Sequence, residues 1–255
     1  WEVSPANGGV KLDARNEPGP VMVGFARPIT DRCAYNSMET GTTSLYGTRP
    51  YHLVGDCRLA LNVRPGRAST QKGAGVYLRM VDDQHAFQLF VPVSPARDTI
   101  LKEGDRIVAR ADGVGLRPGE AVQEVALENY DHCVVAKLDG KNVIRHLYSA
   151  DSSAAPRQEI SFGAAGMRPT FERIRIQRDI HYLSAKDSNG KPKTYHMDEN
   201  SYFVLGDNSP ASSDSRAWPN PAVPAENLLG EAFAVFWPLH DIQLLSIGSK
   251  RGKDK

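Results

Sequence analysis

The chain has 255 residues, 40% of them hydrophobic and 24% charged, and a formal net charge of +1. That length holds one large or two medium domains with a real core. So small a net charge excludes nucleic-acid binding driven by a basic face, and no run approaches the roughly 18 apolar residues of a membrane-spanning helix. The first residue is Trp1, not Met, and no signal-peptide pattern is visible, which reads as a truncated or processed piece. The cysteines are Cys33, Cys57 and Cys133. They lack metal-ligand spacing, and an odd count leaves at least one free thiol. Burial as small apolar residues is the default; a Cys33–Cys57 disulfide stays open.

Residues 1–51 are rich in Gly, Pro and Asn and read as an irregular, partly β segment, with a strand signal only at Val21 to Phe25. From 52 to 183 the pattern is β throughout. Strands are predicted within Leu53 to Val63, Val76 to Val81, Ala86 to Val91, Arg106 to Arg110, Val122 to Leu127, His132 to Leu138, Val143 to Tyr148, Ile160 to Gly163 and Phe171 to Ile176. Asp82-Asp83-Gln84 reads as a hairpin turn. Asp139-Gly140 is the stronger signal, because both central residues of a type I′ turn need positive φ. No amphipathic helix is evident. Short strands at this spacing predict an all-β fold, an antiparallel sandwich of jelly-roll character. Residues 184–200 form a hydrophilic loop, 201–247 return to apolar strands around a polar loop, and 248–255 are a basic tail, solvated or touching anionic lipid.

Tyr202 to Arg216 carries the chemistry. A short apolar run, Tyr202 to Leu205, breaks at Gly206 into a loop of small, polar and charged residues, among them Asp207, Asn208, Ser212, Ser213, Asp214, Ser215 and Arg216. Taken alone, such a stretch is a solvated loop after a strand. The order Gly206-Asp207-Asn208, then Ser212, then Asp214-Ser215-Arg216, resembles the last conserved box of the type I signal peptidases, membrane-bound Ser/Lys endopeptidases. The resemblance continues through Val223-Pro224, Leu228-Leu229-Gly230 and Phe233 to Pro238. It departs at Trp218 to Val223, where the family has a tighter link.

The resemblance implies a serine nucleophile and a neutral lysine general base. Lysine is an ammonium at neutral pH unless burial depresses its pKa, so such a site needs an apolar pocket and a hydroxyl to aim the amine. It implies that Ser212 hydrogen-bonds the lysine, that Asp214 and Arg216 form a bracing ion pair, and that Gly206, Asp207 and Asn208 shape the turn. No Ser/Lys dyad is identified in the chain. Ser37-Met38-Glu39-Thr40 lacks the family's proline. Gly166-Met167-Arg168-Pro169-Thr170 has glycine where the serine should be. The expectation is therefore a C-terminal, extracytoplasmic part of a signal peptidase whose dyad lies outside this chain. The sandwich, concanavalin- or laminin-G-like, would be an insertion in the catalytic domain. Its partners would be the signal peptides of exported preproteins and, through a missing N-terminal anchor, the membrane.

The rival reading is a glycan- or protein-binding module on a peptidase scaffold, with Tyr46, Tyr51 and Tyr148 as aromatic candidates. No cofactor and no metal are expected. The histidines are scattered, with His132 and His146 read as sheet residues. Asp82-Asp83 and Asp151 suit turn chemistry better than calcium, and Gly73/Gly75 and Gly113/Gly115 lack phosphate-loop spacing.

Overall fold

The computed structural model describes residues 2–4, 9–26, 29–30, 53–66, 73–94, 96–119, 121–149, 157–179, 182, 185, 189–206, 212–230, 233–235 and 243–244. These divide into two compact units, one within 1–182 and one within 183–255. Outside the description lie Cys33, Ser37, Tyr46, Tyr51, Asp151, Asp207, Asn208, Trp237-Pro238 and the basic tail.

The first unit is two antiparallel sheets face to face. One has seven strands in the order β1 (Glu2–Ser4), β2 (Gly9–Lys11), β13 (Thr170–Arg178), β4 (Cys57–Arg64), β9 (Gln123–Tyr130), β10 (Cys133–Leu138), β11 (Lys141–Leu147). The other has six: β3 (Val21–Gly24), β12 (Gln158–Ala165), β5 (Gly75–Asp82), β6 (His85–Pro92), β7 (Thr99–Glu103), β8 (Arg106–Ala111). The chain is all-β, as its short alternating strands predict. Strands from residues 2–24 pair with β13 and β12, so this early segment supplies edges to both sheets.

Alternation explains why the sheets stack. In β4, Cys57, Leu59, Leu61 and Val63 are buried. They meet Val76, Leu78 and Met80 of β5 and Phe87, Leu89 and Val91 of β6 in one apolar core. Phe162 of one sheet packs edge-on against Phe171 of the other at 4.9 Å. The outer face of the seven-stranded sheet is polar. There Arg58 donates to Glu128 at 2.8 Å and to Glu124 at 3.1 Å, and Lys137 pairs with Glu128 at 2.9 Å.

The turns follow local chemistry. Asp139 and Gly140 have φ of 49° and 76°, the double positive of a type I′ hairpin. The Asp139 carboxylate accepts from the Glu124 N–H at 2.9 Å, tying the turn to β9. Asp131 and His132, at 48° and 57°, make a second such turn. His132 is therefore a turn residue and not, as its apolar neighbours suggested, a strand residue. Strand β7 was not predicted: Thr99–Glu103 has a short, mixed sequence that carries no alternation signal of its own, and only pairing with β6 and β8 defines it.

The second unit contains two small strand pairs, β14 (Ser201–Phe203) with β15 (Ala222–Pro224), and β16 (Ala234–Val235) with β17 (Gln243–Leu244). A single 3-10 turn, Ala225–Asn227, follows β15. The predicted final strand, Ile242 to Ile247, is described only at Gln243 and Leu244.

Candidate functional site

Strand β14 delivers the chain into the polar loop, and β15 takes it back, so the loop from Val204 to Pro221 is held at both ends by one strand pair. Within it the structure brings together Gly206, Ser212, Asp214, Ser215 and Arg216. Asp214 is the hub. Its Oδ2 accepts the Gly206 N–H at 3.0 Å, and its Oδ1 accepts the Arg216 N–H at 3.1 Å. The Arg216 guanidinium grips both oxygens, Nε to Oδ1 at 2.9 Å and Nη2 to Oδ2 at 2.6 Å. This is a bidentate charge-assisted pair between side chains only 5% and 11% exposed. The guanidinium, with the two backbone donors, holds the Asp214 carboxyl down at about 2, against the opposing effect of burial.

Two further contacts seat the loop. Ser215, fully buried, accepts the Val204 N–H on its Oγ at 2.9 Å, while its own N–H reaches the Val204 carbonyl at 3.1 Å. Tyr195 donates its hydroxyl to the Arg216 carbonyl at 2.9 Å, and its ring lies against Phe203 at 4.7 Å. Tyr195 was invisible to sequence reasoning, being one aromatic within a hydrophilic stretch.

Gly206 and Ser212 meet closely. A Cβ at position 206 would lie 2.1 Å from the Ser212 Oγ, so only glycine lets the serine occupy this place. The loop thus presents one serine hydroxyl beside a chain reversal that a buried ion pair locks. Such a hydroxyl can orient a neighbouring amine or accept a proton-bearing group, but it has no adjacent base among the described residues to activate it as a nucleophile. Asp207 and Asn208 lie outside the described residues.

Other candidates from the sequence resolve as structure. In the Gly166 to Thr170 stretch, Met167 is fully buried and Gly166 takes a φ of 62°, so the segment is core and turn. Tyr148 is no exposed platform. Its hydroxyl has two acceptors for its one proton, Asn129 Oδ1 at 3.0 Å and Asp82 Oδ2 at 3.2 Å, and its ring packs on Phe87 at 4.8 Å. Burial pushes its phenol pKa up. Asp82 is taken up by this network, with Asn129 Nδ2 donating to it at 3.0 Å. Among the described residues no cluster suits a metal ion. Cys57 is a buried free thiol that donates to the Val54 carbonyl, not half of a disulfide, and Cys133 is likewise free and buried.

An antiparallel β chain ending in a Gly-Asp-Asn…Asp-Ser-Arg loop locked by a buried ion pair defines a peptidase-type scaffold. The chain belongs to the signal peptidase, peptidase S26, family, whose model matches residues 100–237. It is 35% identical over 89 residues to a probable signal peptidase I-2 of Synechocystis, covering 31% of this chain and 40% of that protein. It is 31% identical over 111 residues to signal peptidase I of Pseudomonas fluorescens, covering 40% of this chain and 36% of that protein. The chain thus spans well under half the length of the curated relatives it matches. Among solved structures it is similar to a Bacillus subtilis protein of unknown function with a galectin-like fold (TM-score 0.44, 8% identity, 69% of this chain and 86% of that one). It is also similar to the Bacillus subtilis carbohydrate binding module CBM66 (TM-score 0.38, 10% identity, 61% and 94%).

Proposed function

We propose that this chain is the C-terminal, extracytoplasmic part of a type I signal peptidase, an enzyme that removes signal peptides from exported preproteins with a Ser/Lys dyad lying outside this chain. In this reading Ser212 hydrogen-bonds the catalytic lysine and keeps its neutral amine aimed at the nucleophilic serine. Asp214 and Arg216 lock the loop that carries Ser212, and Gly206 makes room for it. The sandwich, with strands from Glu2–Ser4 to Thr170–Arg178, is an insertion in the catalytic domain, and membrane attachment belongs to another part of the protein. The observation that carries the reading is the Gly206–Ser212 approach beside the buried Asp214–Arg216 pair. A serine hydroxyl placed this closely, with no base beside it among the described residues, suits the support of a dyad better than nucleophilic attack.

The test is a preprotein cleavage assay comparing the full-length gene product, its Ser212→Ala variant and this 255-residue chain. The expected result is cleavage by the full-length enzyme, a loss of about 100-fold or more in Ser212→Ala, and none by the chain alone. Cleavage by the isolated chain would overturn the placement of the dyad and make Ser37 the first residue to substitute.

A further inference from the structure

At one end of the sandwich, the start of β6, the β7–β8 hairpin and the end of β11 line an open pocket of about 380 Å³. Its polar groups are arranged around Glu103. That carboxylate is engaged on both oxygens, by His85 Nδ1 at 2.6 Å and by Arg106 Nη2 at 2.7 Å. An ionised carboxylate only accepts, so Nδ1 of the imidazole is the donor. In the neutral ring Nε2 then carries a lone pair, and this nitrogen is buried with no partner among the described residues. Buried polar atoms without a partner are rare and call for one.

The rest of the pocket supplies the complement. Arg106 is 75% exposed and uses one nitrogen on Glu103, so its remaining N–H groups point to no other described residue. His146, whose ring contact is with Phe87 at 6.4 Å, also lines the pocket, as does the Ser149 hydroxyl. The Leu147 side chain, 63% exposed, and the Tyr148 ring, whose hydroxyl is already committed, give it an apolar side.

We propose that this pocket binds a saccharide through adjacent hydroxyls, one donating to the unpartnered His85 Nε2 and accepting from Arg106. The chemistry discriminates between ligands. An ionised carboxylate satisfies Arg106 but has no proton for Nε2, whereas a sugar hydroxyl both donates and accepts. The volume suits one sugar ring, whose C–H face would lie on Leu147. The Phe87 and Tyr148 ring centroids lie 6.0 and 4.6 Å from that of the imidazole, and Phe87 is fixed in the core, so a hydroxyl reaches the buried Nε2 when the half-buried Tyr148 ring swings aside. The site lies within the first unit and is independent of the peptidase reading.

The test is histidine side-chain 15N NMR on the full chain at pH 8, titrated with the methyl β-glycosides of glucose, galactose and mannose, and separately with acetate. The expected result is millimolar binding of at least one glycoside, a shift of the His85 Nε2 resonance, and binding weakened about tenfold by Arg106→Gln, the loss of a hydrogen bond to a charged group. Lys141→Ala, exposed at the far end of β11, leaves the affinity unchanged. Arg106 is largely exposed, so its variant retains the fold, which the melting temperature checks. The proposal is overturned by an absence of glycoside binding, by binding that leaves His85 Nε2 unmoved, or by acetate binding in place of the glycosides.

Discussion

Asp214 shows how much one side chain can organise. Its carboxyl titrates at about 2 when folded, below the roughly 3.9 of an unfolded aspartate. A depressed carboxyl stabilises the fold at every pH above its unfolded value, and that stabilisation is lost as pH falls through the folded value. The loop should therefore hold down to about pH 4 and loosen between about pH 4 and 2. Exchange of the Val204 and Gly206 amides against pH measures this, and Asp214→Ala should remove the dependence. The same substitution strips the carboxylate from a guanidinium whose side chain is only 11% exposed, at a cost of about 3 kcal/mol in the stability of the second unit. Gly206→Ala acts differently. Its new Cβ strikes the Ser212 Oγ, so under the proposed function cleavage by the full-length gene product should drop by about 100-fold while amide exchange at Val204 stays protected. A drop in cleavage matched by loss of that protection would mean that the loop had unfolded. Cys57 belongs to this scale too. Burial, with the Asp56 and Asp82 charges adding to it, pushes its thiol up to about 12. A site-resolved alkylation experiment should find Cys57 and Cys133 unmodified at pH 8 until the protein is unfolded.

At the scale of elements, the hairpins carry the register of the sandwich. The β10–β11 turn places Asp139 at positive φ and uses its carboxylate to accept the Glu124 N–H at 2.9 Å and the Gln123 Nε2 at 3.4 Å. Alanine there would lose both bonds and sit in a region that a Cβ disfavours. Asp139→Ala should cost about 2 kcal/mol in urea unfolding, and Asp139→Asn, which tolerates this region, about half. Turn chemistry of this kind is local, so Asp139-Gly140 was readable from sequence. Asp131-His132 adopts the same geometry without a glycine, and its sequence resembles the strand ends beside it. Strand β7 escaped notice for a related reason: neighbours on both sides supply what its own residues do not signal.

For the molecule as a whole, the sandwich rests on contacts between sheets drawn from distant sequence. Phe171 is fully buried and meets Phe162 across the interface. Phe171→Ala should destabilise the sandwich by about 4 kcal/mol, seen as a lower urea midpoint with an unchanged slope. The polar outer face of the seven-stranded sheet is laced by Arg58, Glu124 and Lys137 around the buried Glu128. An exposed pair such as Arg15–Asp13, 48% and 45% exposed, contributes little, so removing it should scarcely move the midpoint.

By itself the sequence determined the all-β class, most of the strands and the family, because alternation, Asp-Gly turns and the Gly-Asp-Asn…Asp-Ser-Arg order are local properties of neighbouring residues. Only the tertiary structure decided which strands share a sheet and that residues 2–24 edge both of them. It alone brought Tyr195 to the Arg216 carbonyl, consumed the Tyr148 hydroxyl, and left His85 Nε2 without a partner among the described residues. Those outcomes depend on groups far apart in the chain meeting in a closed interior, where every hydrogen bond made or missed is settled by what folding places opposite.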